Sequence, residues 1–184
     1  TGLAATAELA AALPAMYGEV EAARAGVALL RTLMSAKQLA LLAELRGLYP
    51  IGEVVRGREY TIRGIALPDR DLHLLNDEQV STALGYVAHL VSLLGKYLGV
   101  PLRYYPQYMA SRSCVRDEVV SGAVEYPLYY TRTEQSAFFL AVLMLQRDVR
   151  QLLHSQGVAA VEGHMLANLA RLFTVLLDAP LPAV

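Results

Sequence analysis

From Glu19 to Leu48 the chain reads as one 30-residue helix with no proline. A helix of that length reaches about 45 Å, more than the depth of a small domain, so part of it must pack on something else or stand in water. Val20, Val27, Met34, Leu41 and Leu48 recur at heptad spacing. On the companion positions Ala23 and Leu30 continue a seam, and Lys37 and Glu44 then break it. The first part fits the end of a coiled coil, and an ordinary packed helix fits the same residues. The second part, "LALLAELRGLY", is apolar enough to dock on a domain. The expected organisation is therefore a helical or coiled-coil end over residues 1–38 and a folded domain over 39–184. Before the long helix, Pro14 is expected to interrupt the Ala-rich start.

Past Pro50 the pattern changes. "IGEVV" and "REYTIRGIAL" read as two strands joined at Arg56-Gly57, the second ending at Pro68. Asn76, with Gln79 three residues on, resembles a capping box. On the helix that follows, Val80, Leu84, Val87, Val91, Leu94 and Leu98 share one face, and Gly99 is its expected C-cap. The other face, with Gly85, His89, Ser92 and Lys96, is only moderately polar, so a second element is expected over it. "VPLRYY", "CVRDEVV" and "VEYPLYY" read as further strands. A third helix, capped by Thr131 or Thr133 and ending near Gly157, faces inward through Phe138, Val142, Leu145, Val149 and Leu153. A last one, from about Val161 to Asp178, does so through Met165, Leu169, Leu172, Phe173 and Leu176. A unit of hairpin followed by helix thus occurs about twice. The predicted fold class is α+β, with antiparallel strands packed on long helices.

Little of this is chemical machinery. With 55% hydrophobic residues and a net charge of −1, the chain can build a substantial core but presents no global field that would draw it to nucleic acid. A single cysteine, Cys114, excludes an internal disulfide and a cysteine-based zinc cluster. His73, His89, His154 and His164 are scattered, with no metal-binding spacing. His89, Ser111 or Ser113, and Asp117 could supply a triad, but no nucleophile elbow or glycine-rich oxyanion turn accompanies them. Asp69/Asp71 and Asp77/Glu78 precede a helix, where negative charge favours the dipole. No phosphate-binding or dinucleotide fingerprint is present. Catalytic residues, metal, cofactor and small-molecule substrate are accordingly not expected. The chain starts at Thr1, as a fragment or processed form would, and no basic leader announces a signal peptide. "FFLAVLML" runs straight into Gln146-Arg147-Asp148, and no apolar stretch is expected to span a bilayer. A mean hydropathy of +0.35 is high for a soluble domain and points to surface covered by a partner.

"PLRYYPQY" stands apart. Arg103, Tyr104, Tyr105 and Tyr108, with Arg112 close behind, can grip a lipid interface or a partner surface. Alternation along a strand would instead send some of these side chains into the core.

Several blocks also resemble a known family. "ALGYVAHLVSLLGKYLGVPLRY" (Ala83 to Tyr104), "SRS" (Ser111 to Ser113) and "EYPLY" (Glu125 to Tyr129) resemble the C-terminal region of the UV radiation resistance-associated protein family. "LLAELRGLYPI" (Leu41 to Ile51) is similar to the segment before that region, and "FFLAVLMLQRDVRQLLHSQGV" (Phe138 to Val158) to the helix after it. The resemblance implies a non-catalytic, regulatory subunit of the class III phosphatidylinositol 3-kinase complex, cytoplasmic and peripheral on endosomal membranes. It implies a C-terminal domain similar to the Beclin β-α repeated module, preceded by a coiled coil paired with the Beclin-like subunit. Val20, Val27, Met34 and Leu41 would then be the partner-binding residues. The autophagy-specific Barkor-like subunit and a stand-alone membrane-surface module are the alternatives.

Overall fold

The computed structural model describes residues 2–55, 59–68, 72, 77–119, 122–161 and 163–178, apart from the side chains of residues 2–12, 15, 55 and 77. The chain divides into two compact units, residues 1–40 and 41–184.

The first unit is helical throughout. Helix α1 runs from Gly2 to Leu48, so it begins well before the expected start and passes through Pro14. A proline removes one i→i−4 hydrogen bond but keeps a helical φ, and the Ala- and Leu-rich flanks favour helix on both sides. The part from Met16 to Leu48 is long and apolar enough to cross a membrane by length and composition, which corrects the expectation that no such stretch exists. Arg31 and Lys37 fall in its middle, where hydrocarbon would cost about 2.5–3.5 kcal/mol for each charge. Leu42 and Leu45, at 1% and 2% exposure, belong to the core of the second unit. The rest of the span stays largely exposed, with only 6% of its most apolar window buried.

The second unit repeats one plan twice. Strands β1 (Ile51–Val55), β2 (Glu59–Ile62) and β3 (Ile65–Ala66) form an antiparallel sheet in sequential order, followed by α2 (Asp77–Leu98). Strands β4 (Tyr105–Gln107), β5 (Cys114–Asp117) and β6 (Val124–Pro127) form a second antiparallel sheet, followed by α3 (Gln135–Ser155) and then α4 (Met165–Asp178). This is the α+β architecture of antiparallel sheets packed with long helices, preceded by a helical segment.

The turns account for the local departures from the sequence reading. "REYTIRGIAL" is two strands, because Arg63 and Gly64 both take positive φ (51° and 79°) and Ile62 pairs with Ile65 across them. A two-residue loop with positive φ at both positions matches the twist of the strands it joins. "VPLRYY" yields a strand only from Tyr105 onward. Before it, the backbone N–H groups of Arg103 and Tyr104 donate to side chains of α3, Gln151 Oε1 at 2.9 Å and Asp148 Oδ1 at 3.1 Å. The residue ahead of α3 is Glu134, with no side-chain cap, rather than a threonine. Helix α4 begins at Met165 rather than near Val161, because the Asn168 side chain bonds the backbone N–H and C=O of Val161 (2.8 and 3.0 Å) and holds that segment out of the helix. Gly99 and Gly157, at φ 66° and 67°, close α2 and α3 as left-handed caps. The Arg56-Gly57 turn, Asn76, His73, Asp69 and Asp71 lie outside the described residues.

Helix α2 is the centre of this unit. It touches both sheets and α3. Of its predicted inward residues, Val80, Leu84, Val87, Val91 and Leu94 are buried and Leu98 is half-buried, and Ala83, Ala88 and Leu90 on the flanks are buried as well. The expected second cover over the other face is present. The turn between β4 and β5 lies so close to Gly85 that a Cβ there would stand 2.4 Å from the Ala110 carbonyl oxygen. At Gly95 a Cβ would meet Leu102 at 3.0 Å. Helix α3 buries all five of its predicted core residues.

Candidate partner-binding surfaces

Two surfaces carry the side chains singled out by the sequence. The first is the helix of residues 13–40. Val20, Val27 and Met34 are 46%, 49% and 71% exposed, and Met16, Leu30 and Leu33 beside them are more than half exposed. A solvated helix normally turns such residues inward and shows water a polar face. Its polar side chains pair with one another instead, as in the i,i+3 bridge from Arg24 to Glu21 at 2.7 Å. Leu41, the fourth seam residue, is half-buried and belongs to the second unit. The seam thus runs along an exposed helix and ends at the domain's edge. Met16 and Leu33 complete the stripe and could have been found by extending the heptad count one turn towards the N-terminus and one position to each side.

The second surface is the segment from Arg103 to Arg112, which the structure divides rather than gathers. Tyr104 is buried at 7% exposure, its hydroxyl accepting from Arg147 Nη1 at 3.1 Å. Arg103 lies over the Tyr104 ring at 4.5 Å and donates to Asp117 Oδ1 at 2.9 Å, and that hydrogen bond raises the guanidinium pKa further. Tyr105 is exposed and lines a cleft of about 190 Å³ with Ser92, Lys96 and Leu102. Tyr108 is 42% exposed and stacks on His89, with ring centroids 4.4 Å apart and planes 6° from parallel. Arg112 is exposed in the turn that begins at Met109.

His89 is the hub of an aromatic cluster. Its Nδ1 bonds the Tyr49 hydroxyl, and Tyr49 packs against Tyr86, with Arg63 over both rings. Burial, then the charge of Lys96, pushes the His89 pKa down, so the imidazole is neutral at pH 7. The triad that its residue type suggested is not assembled. Ser113 Oγ accepts from the Met109 N–H (2.9 Å) and donates to the Ala110 carbonyl (2.7 Å), while Asp117 holds Arg103. Among the described residues no group of three or more His, Cys, Asp or Glu is placed to hold a metal ion.

Asp148 is the functional-looking residue that sequence reasoning passed over. It is fully buried on α3, and its Oδ1 accepts the Tyr104 N–H. Burial raises its pKa from 3.8 to about 7, against the opposing pull of that N–H and of the Arg103 charge. Nothing in the run "LQRDVRQ" separates it from a solvated surface aspartate.

Comparison with known proteins places this geometry. A family model described as vacuolar sorting 38 and autophagy-related subunit 14 matches residues 21–177. The chain is similar to the mouse UV radiation resistance-associated protein (35% identity, 64% of this chain, 18% of the relative). It is similar to the Drosophila melanogaster UV radiation resistance-associated gene protein (32% identity, 74% and 22%). It is also similar to the fission yeast vacuolar protein sorting-associated protein 38 (28% identity, 81% and 32%). The chain thus spans less than a third of the length of each of these relatives.

Proposed function

The chain belongs to the vacuolar sorting 38 and autophagy-related subunit 14 family, and on that premise we propose that it is a non-catalytic regulatory domain of a class III phosphatidylinositol 3-kinase complex. In this reading it works at endosomal membranes, from the cytoplasmic side, in trafficking and autophagy. Residues 1–38 are the end of a coiled coil, and 39–184 the domain that the coil delivers. The supporting observation is the exposed seam. Val20, Val27 and Met34 leave an apolar stripe in water on a helix that precedes a complete, well-packed core. A partner helix removes that stripe from water, at about 25 cal/mol for each Å² covered. The partner is the Beclin-like subunit, with Leu41 closing the seam at the domain's edge.

Co-expression with the Beclin-like subunit and the lipid kinase tests the reading. The double change Val27→Asp and Met34→Asp should abolish co-purification, because a charge desolvated in a seam is costly, while leaving the second unit folded. Unchanged recovery of both partners would remove the seam from the interface.

A second reading is a membrane-surface module acting by itself. The exposure of Arg103, Tyr105, Tyr108 and Arg112 favours it, with Tyr104 buried among them in sequence. Vesicle flotation without any partner, lost on Tyr108→Ala with Arg112→Ala, is its signature.

A further inference from the structure

On α3 the side that faces away from the core is not polar where a solvated helix should be. At about 100° per residue, Ser136, Leu140, Leu143, Arg147, Arg150 and His154 lie within about 40° of one line, with Phe139 at its edge. All of them are exposed. Phe139, Leu140 and Leu143 keep 45%, 44% and 42% of their surface in water, opposite the buried Phe138, Ala141 and Leu145. The stripe is banded: its apolar residues occupy the first turns of the helix, and its cations the later ones. No carboxylate interrupts it. Glu134, Asp148, Glu162 and Glu125 are the acids nearest along the chain, and Glu162 lies outside the described residues. Glu134 and Asp148 fall on other sides of the helix by the same angular count, and Glu125 is on β6. Arg147 is held in place by its bond to the Tyr104 hydroxyl, and Arg103 lies over the Tyr104 ring.

We infer that this face of α3 seats on an anionic phospholipid surface, with Phe139, Leu140 and Leu143 entering the acyl boundary and Arg147 and Arg150 meeting lipid phosphates. Apolar side chains in one band and arginines in the next match the two layers of a bilayer interface, and the single sign of charge fixes the lipid as anionic. The helix meets the surface with its N-terminal turns lower. The surface includes none of the residues of the tyrosine segment or of the heptad seam, although Arg147 bonds the buried Tyr104, and it does not depend on the identity of the protein partner.

The test is flotation of the full chain with vesicles of phosphatidylcholine, with and without phosphatidylserine. Binding should require phosphatidylserine and weaken as salt is raised. Arg150→Glu should weaken it more than about fivefold, the effect of one basic residue near an anionic surface. Leu143→Asp should abolish it, and Tyr108→Ala with Arg112→Ala should leave it intact. A Leu140→Cys probe in a Cys114→Ser chain, labelled with a polarity-sensitive dye, should shift to the blue on these vesicles. Absence of binding to phosphatidylserine vesicles would overturn the inference, and so would binding that ignores Leu143→Asp and Arg150→Glu. Retained co-purification with the kinase subunits in these same variants would show that failure here leaves the coiled-coil assignment standing. If Leu143→Asp instead disrupts that co-purification, the face contacts a protein and the lipid inference falls.

Discussion

Two helices of similar apolar character meet opposite fates in this molecule. On α2, Val87, Leu90, Val91 and Leu94 are fully buried, whereas on the first unit Val27, Leu30 and Met34 are 49%, 60% and 71% exposed. Burial therefore follows from what the chain supplies as cover. Two sheets and α3 surround α2, and Gly85 and Gly95 allow their backbones and side chains to come close. An apolar helix without such neighbours stays exposed in the isolated chain, whereas an apolar helix with them becomes a core.

Truncation tests that contrast most strongly. Leu90→Ala should cost about 2–5 kcal/mol in urea unfolding, because it leaves a cavity in a packed interior. Leu30→Ala, in the absence of a partner, should stay within about 0.5 kcal/mol of the parent, as exposed substitutions do. Equal losses at both positions would mean that the helix of residues 13–40 is covered in solution.

The close approach at Gly85 sharpens the other half of the comparison. Gly85→Ala places a Cβ against a backbone carbonyl that cannot rotate away. The expected cost is about 1–3 kcal/mol, read from the denaturation midpoint. Gly26→Ala, on the exposed helix with open space around it, should instead stabilise slightly.

A pH dependence separates the buried face from the exposed helix in another way. With its pKa raised to about 7, Asp148 keeps a proton in the folded state that the unfolded chain, at 3.8, has already released. The contribution of this group to stability is therefore greatest below its unfolded pKa. It is lost progressively as the pH rises from that value to about 7, and then stays low. Asp148→Asn should flatten that part of the profile, seen as a smaller difference between unfolding at about pH 5 and about pH 8. An unchanged slope would place the titration elsewhere.

Much of the second unit was legible because its signals are periodic and local. The inward faces of α2 and α3 follow from apolar spacing alone, and Gly99 marks a helix end that few other residues could make. The Arg63-Gly64 turn was missed because arginine gives no hint of positive φ. The strand expected at "VPLRYY" began late because its first N–H groups go to Gln151 and Asp148, far away in sequence. Pro14 misled in the opposite direction, since one lost hydrogen bond does not end a helix that both flanks favour. Of the candidate surface residues, the seam was readable from heptads. The split of Tyr104 from Tyr105 and Tyr108 was not, because neighbouring aromatics look alike until a partner such as Arg147 or His89 claims one of them.

The amino-acid sequence by itself determined which segments are helices and strands, which face of each is apolar, and that the chain carries no recognisable catalytic pattern. Those properties depend on residues a few positions apart. The tertiary structure decided which apolar faces are covered, which tyrosines are exposed, and that Asp148 is buried beneath the segment leading to β4. Those properties depend on groups brought together from distant parts of the chain, and desolvation is felt only once they meet.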